Sequence, residues 1–376
     1  MKAMPSTAVK EHNRHIITNY FVTHDFATKQ MIERELGLSL PTITQNLRTL
    51  EDDGIIVRGE LQESTGGRKA QTYRFDVAHR IAIGVAMRSS EVTLCAIDLA
   101  GNTVAKFSRA LPYRNDNAYY QRIGTIIDDF AAGLERSHGR VLGVAFSIQG
   151  IVSADGTTIT FGKIMNNTGL TLATISQAVH YPCLMIHDSD ASAMADLWFD
   201  HTLTDAVCIY LERRPGGAVI VGGKLHQGPN QCNGTIEHMT LVPGGRACYC
   251  GQHGCMDAYC SPEMLTEDYE SVPGFFSVLE QGETHHRERM NEWLDYVAQA
   301  IVNVRSVIAG DVILGGEAAT YLDDDDIADL RRRVIEHTPF DTEHFTLRKS
   351  LCAENQSTIG AALRLVEHYL DSICGR

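Results

Sequence analysis

His238, Cys248, Cys250 and Cys255 fall within the stretch HMTLVPGGRACYCGQHGC, with nine, one and four residues between them. One imidazole and three thiolates are soft or borderline donors, and four of them complete the tetrahedron that Zn²⁺ adopts in structural sites. Four protein ligands leave no open coordination position, so this spacing predicts a structural Zn²⁺ that pins a loop. A disulfide knot is the competing reading of clustered cysteines. The opening MKAMPSTAVKEHNRHIITNY has no apolar segment of the secretory kind, and no stretch reaches the roughly 18 apolar residues of a membrane span. A cytoplasmic, reducing setting is therefore expected, where disulfides are rare and thiols are free or metal-bound. Free thiols in a glycine-rich turn are the reading without chemistry. Cys260 lies nearby but outside the four, and His253 is an alternative ligand.

A second group of residues could do chemistry of a different kind. In SLPTITQNLRTLEDDG, Ser39 is a good N-cap, Pro41 sits in the first turn and Gly54 ends the helix. Ile43, Leu47 and Leu50 make its buried stripe, and Thr42, Gln45, Asn46 and Thr49 lie opposite. Glutamine and asparagine can pair bidentately with adenine in the major groove, and a threonine methyl can touch thymine. Two further helices are predicted before it, Lys10 to Thr23 and the stretch TKQMIERELGL. Two strands follow, IIVRGEL and AQTYRF, joined by QESTGGR, whose tip carries Arg68 and Lys69. Helix, turn, helix and a basic-tipped hairpin read as a winged helix-turn-helix over residues 1–77. Its predicted DNA contacts are Thr42, Thr44, Gln45, Asn46, Arg48 and Thr49 on the recognition helix and Arg68 and Lys69 on the wing. A small helical domain that is merely polar on one side is the alternative.

Charge separates this head from the rest. The 376-residue chain has a net charge of −14, whereas residues 1–80 hold 11 Lys and Arg against 10 Asp and Glu. A protein wholly devoted to nucleic acid is excluded. A near-neutral head on an acidic body suggests two tasks, and the length asks for two or three domains.

The body alternates strand hairpins and helices, which indicates α/β lobes. RIAIGVAMRSSEVTLCAIDLAGNTV reads as strand, turn and strand with Gly101 in the hairpin. LGVAFSIQGIVS and CLMIHDSDASAMADLWF read as strands, the second running into a helix at His187. AVCIYL and GGAVIVGGKLHQG are further strands, and the helix YVAQAIVNVRSVI leads into the strand DVILGG. LDDDDIADL has calcium-loop composition but lacks the glycine and terminal Glu of an EF-hand, so a helix N-terminus is expected. ETHHRERMNEW is expected to be the polar face of a helix.

The order of these pieces resembles the ROK family of bacterial repressors, open reading frames and sugar kinases. HMTLVPGGRACYCGQHGCMDAY is similar to that family's zinc signature, and HDSDASAMAD, DVILGG and STIGAALRL are weaker supports. The resemblance implies a two-lobed actin-like (ribonuclease H-like) α/β body, with lobe 1 at 78–198 and lobe 2 at 199–376, the C-terminal helix returning to lobe 1. It also implies a sugar cleft between the lobes, lined by Asn166, Asp188, Glu237, His238 and Asp257, with Asp190 as an additional acceptor. Members with such a head are regulators of carbohydrate use. A repressor that binds a palindromic double-stranded operator as a homodimer or homotetramer and senses a carbohydrate is therefore expected.

An ATP-dependent sugar kinase is the alternative. Asp188 aligns with the base that such an enzyme needs. The first phosphate loop, Asp-x-Gly-x-Thr in the family, reads Ala86, Arg88 and Ser90. The second reads LERRPGGAV, with Glu212, Arg213, Arg214 and Pro215 where small residues belong. Missing glycines and a proline remove the donor-lined nest that cradles phosphate, so no enzyme activity is expected. The sugar pattern has also drifted. Thr235 and Glu237 replace the Glu and Gly of Glu-x-Gly-His, and Asp257 replaces a Glu. Asn166, Asn167 and Lys163 compete for one loop position.

Overall fold

Thr28 and Ser39 each turn a side-chain oxygen onto the first turn of the helix that follows, and Gly37, at φ 65°, closes the helix between them. These caps delimit the two helices of the helix-turn-helix in the computed structural model, which describes residues 6–62, 69–339, 343–352 and 354–376. The head holds α1 (Ser6–Thr23), β1 (Ala27–Thr28), α2 (Lys29–Leu36), α3 (Leu40–Asp52), β2 (Ile56–Gln62) and β3 (Ala70–Phe75). α1 starts earlier than the sequence suggested, and the short β1 was not foreseen. It pairs with β3, so the wing is the outer part of a three-stranded sheet ordered β1-β3-β2. Ile43, Leu47 and Leu50 are at most 1% exposed and pack with Ile17, Phe21, Ile32 and Ile56. Each such side chain is worth about 1.5–3 kcal/mol of burial, which lets so small a unit hold a rigid recognition helix.

Lobe 1 carries β4 (Arg80–Met87), β5 (Glu91–Ile97), β6 (Thr103–Ala110), α4 (Asn117–Ser137), β7 (Arg140–Ile148), β8 (Ile151–Val152), β9 (Ile159–Phe161), α5 (Leu172–Ile175), β10 (Cys183–His187) and α6 (Asp188–Phe199). Lobe 2 carries β11 (Ala206–Tyr210), β12 (Gly216–Val221), β13 (Lys224–Leu225), α7 (Asp257–Cys260), α8 (Val272–Leu279), α9 (Thr284–Arg305), β14 (Asp311–Gly315), α10 (Glu317–Tyr321), α11 (Asp324–Glu336) and β15 (Leu347–Lys349). The central sheets have the same topology, β10-β7-β4-β5-β6 and β13-β12-β11-β14-β15. In each, three sequential antiparallel strands are extended by two parallel ones. That repetition is the two-lobed actin-like arrangement.

The last helix, α12 (Gln356–Cys374), leaves lobe 2 and lies on β4, β7 and α6 of lobe 1. This helix thus packs with the sheet and helix of lobe 1. Gly360 permits the approach, because a Cβ there would run into the Ala191 carbonyl of α6. The four-aspartate run opens α11 with a reciprocal capping box between Asp323 and Asp326, and ETHHRERMNEW opens α9. Among the described residues no helix is long and apolar enough to cross a membrane.

Candidate functional site

The metal-ligand quartet sits in the long connection between β13 and α8. A 3-10 turn, Ile236–His238, delivers the histidine, and a bridge between Thr240 and Cys255 closes the loop. Gly254, at φ 83°, is packed so tightly that a Cβ would collide with the Val242 carbonyl, which fixes Cys255 beside it. One donor atom from each of His238, Cys248, Cys250 and Cys255 lies within 4.8 Å of all the others. The Cys250 and Cys255 sulfurs are 3.8 Å apart, and Cys248 Sγ is 3.7 Å from His238 Nδ1. Zn–S bonds of ~2.3 Å at the tetrahedral angle give sulfur–sulfur edges of about 3.8 Å, so the donor set fits a tetrahedral ion. His253 is exposed and Cys260 is packed in the lobe 2 core, and neither belongs to the quartet.

His238 faces two ways. Nδ1 looks at the sulfurs, while Nε2 lies 3.2 Å from the Tyr249 hydroxyl on the wall of the cleft. Burial holds this imidazole below the usual histidine range, which suits a metal ligand. The sequence reading gave His238 both roles, and its two nitrogens make them compatible.

The cleft between the lobes encloses about 340 Å³. Asp188, Glu237 and His238 line it, together with Lys163, Arg214 and Tyr249. Asp188 starts α6 and lies 3.3 Å from His187 Nε2. Glu237 is 7% exposed and its Oε2 is buried without a partner among the described residues. Burial first, then the charges of Asp188 and Asp257, raise its carboxyl to about 8. Asp257 stands behind the wall at 2% exposure, with Oδ2 3.1 Å from Arg214 Nη1 and Oδ1 likewise unpartnered. Arg214 also lies over the Tyr249 ring, 5.2 Å from its centroid.

Of the predicted cleft residues, Asn166, Asp190 and Asp257 do not line the cleft. Asn166 is exposed and does not line the cleft. Its φ of 48° turns it out of the loop, and its carbonyl accepts from Asn115. Lys163 takes the cleft position from that loop and donates to the Cys250 carbonyl at 3.0 Å, tying lobe 1 to the cysteine loop. Asp190 faces a second cavity and accepts from Gln227 at 2.7 Å.

The damaged phosphate loops face each other. Arg88 follows β4, Glu212 follows β11, and their side chains pair at 3.5 Å across the cleft. Arg88 was read from sequence as a lost glycine and Glu212 as standing where a small residue belongs, but their contact was invisible because nothing local relates positions 88 and 212.

On the head, Thr44, Gln45, Arg48 and Thr49 are exposed along α3, while Thr42 and Asn46 are half-buried. The Asn46 amide donates to the Thr42 carbonyl of its own helix. Lys69 is exposed at the base of the wing, and Arg68 lies outside the described residues.

The head and the cleft share α12. At its first residues Ser357 borders the cleft, and Gln356 Nε2 donates to Asp196 Oδ1 at 2.8 Å and to Ser350 Oγ at 2.9 Å. Asp196 also accepts from Tyr210 of the lobe 2 sheet at 2.8 Å. Burial raises Asp196 to about 6, although Ser350 and Tyr210 hydrogen bonds oppose the shift. At the other end Ile373 packs on the head core, Tyr369 bonds His79 at 2.8 Å, and Arg376 donates to Asn19 of α1 at 2.7 Å. The sequence contained no signal for this link, which joins residues 357 positions apart.

Residues 82–367 match the ROK family. Over 258 residues the chain is 25% identical to the DNA-binding transcriptional dual regulator NagC of Escherichia coli K12, covering 66% of this chain and 62% of NagC. It is 21% identical over 274 residues to the xylose repressor of Bacillus subtilis 168, covering 72% and 71%. Among solved structures, a ROK family transcriptional regulator described as a homolog of the E. coli MLC protein matches with a TM-score of 0.77 at 18% identity, across 97% of this chain and 98% of that one. A ROK family glucokinase from Streptomyces griseus, in complex with glucose and AMPPNP, matches with a TM-score of 0.65 at 22% identity, across 76% and 98%. The shared feature of these structures is the fold. The glucokinase match leaves about a quarter of this chain uncovered, whereas the regulator match takes in nearly all of it.

Proposed function

The chain belongs to the ROK family, and on that basis we propose that it is a cytoplasmic DNA-binding repressor of carbohydrate-use genes that senses a sugar or sugar derivative in its cleft. The observation that carries this reading is α12, one helix that borders the cleft at Ser357 and holds the head through Ile373 and Arg376. Nineteen helical residues span about 28 Å. A change at the cleft end that shifts this rod also shifts the base of the head.

Thr44, Gln45, Arg48 and Thr49 face the major groove in this account, with Lys69 and Arg68 serving the wing. One winged helix reads too few base pairs for a genomic target, so two copies of the chain reading a palindrome complete the operator complex. His238, Cys248, Cys250 and Cys255 would hold Zn²⁺, which would pin the loop that presents His238 Nε2 and Glu237 to the cleft. A ligand changes DNA affinity only by binding one arrangement of lobes and heads better than the other. The kinase reading is disfavoured because Arg88 and Glu212 tie the two turns that would hold phosphates.

The test is operator affinity with and without carbohydrate, by fluorescence anisotropy. A releasing sugar weakens DNA binding of the native chain. Arg376→Ala, which cuts the bond to α1, keeps the sugar affinity and loses most of the release. Equal release in both proteins contradicts the role given to α12.

A further inference from the structure

Arg214 lines the cleft beside Tyr249 and Glu237, with Asp257 buried behind it, and the balance of donors and acceptors there is specific. Glu237 Oε2 and Asp257 Oδ1 are buried acceptors without partners among the described residues. A ligand hydroxyl satisfies the Glu237 oxygen. Arg214 has the opposite need. One Nη meets Asp257, the guanidinium lies over Tyr249, and the side chain is 38% exposed toward the cleft. A neutral sugar can donate a hydroxyl to Glu237 but offers this arginine no charge in return.

We propose that the effector is a sugar acid, a polyhydroxy ligand whose single carboxylate pairs with Arg214 while its hydroxyls donate to Glu237. This inference rests on the reading of the cleft as an effector site. A guanidinium presents parallel N–H donors that match a planar carboxylate. A phosphate ester fits less well, because a dianion calls for further cations or backbone donors. Arg88 is paired with Glu212 and Lys163 is bound to the Cys250 carbonyl. Pro215, next to Arg214, has no N–H to offer.

Calorimetric titration of the full-length, zinc-loaded chain with glucuronate, gluconate, glucose and glucose 6-phosphate tests the proposal. At least one of the two acids binds about tenfold or more tightly than both glucose and the phosphate, the range expected for a charged hydrogen-bonded group. Arg214→Gln lowers the affinity for the preferred acid by a factor about tenfold larger than any change for glucose, so the preference disappears. Arg214→Lys, which keeps the charge without the planar fork, retains part of it, and unchanged zinc content shows that the loop is intact. Tight glucose binding with no gain for either acid overturns the sugar-acid inference and leaves sensing in place, as does an acid preference that survives Arg214→Gln. Preference for glucose 6-phosphate assigns the cleft to phosphorylated ligands and also overturns it. If none of the four binds, the inference and the effector reading of the cleft both fall.

Discussion

Arg88 and Glu212 lie 3.5 Å apart and belong to different lobes, each in a turn that corresponds to a phosphate loop. An ion pair thus stands where the sequence pattern places a nucleotide's phosphates. Each side chain is about one-third exposed, 34% and 31%, so solvent screens the pair and its direct worth is small, about 0–1 kcal/mol.

The expected consequence concerns nucleotides. Mg-ATP leaves the melting temperature unchanged within about 1 °C, and no phosphate passes to any sugar that binds. A clear stabilisation by Mg-ATP, which mass action would raise by several degrees at saturating ligand, contradicts the assignment.

Cys250→Ser removes one of four ligands. The variant loses stoichiometric zinc and its melting temperature falls by roughly 5 °C, a shift of about 2 kcal/mol for a lobe of this size. Elemental analysis and calorimetry on the same sample decide the matter. Retained metal with unchanged melting refutes the ligand assignment.

Gln45 is exposed on α3 and makes the natural base reader. Gln45→Ala weakens binding to the preferred operator by about 1–3 kcal/mol and leaves affinity for unrelated DNA nearly intact. Equal losses on both DNAs would assign Gln45 to general contact. Asn46→Ala has a smaller effect on recognition, because its amide is already bonded to Thr42.

How much of this was legible beforehand differs by region. Caps, glycines and the period of Ile43, Leu47 and Leu50 are local signals, and they located the helix-turn-helix to within a few residues. The His and Cys spacing lies within one loop, so the quartet was legible too. Distant contacts were not. Arg214 read only as a departure from a loop pattern, and its place against Tyr249 and Asp257 depends on how three segments of lobe 2 meet. Asn166 lies outside the cleft lining, at a left-handed turn that no local pattern announces. The α12 link joins the two ends of the chain, beyond any periodicity.

Asp196 gives a pH prediction with a defined sign. Its carboxyl, ordinarily near 3.8, is raised to about 6 by burial beneath Tyr210, Ser350 and Gln356. A raised acid binds its proton more tightly in the folded chain. Its contribution to stability is therefore greatest at low pH and is lost as pH rises from about 4 through 6. Relative to Asp196→Asn, the native chain loses stability across that window, on the order of 3 kcal/mol. Chemical denaturation of both proteins at several pH values checks this. A constant difference between them refutes the shift.

The central claim is that the head reads a specific DNA sequence in the service of the cleft. Selection of bound fragments from genomic DNA at physiological salt tests it most directly, because salt suppresses nonspecific phosphate contacts. The account predicts enrichment of a palindrome whose half-sites suit two winged helices, and loss of that enrichment when the effector is added. Recovery of unenriched DNA, or of a sequence whose retention no carbohydrate changes, contradicts it.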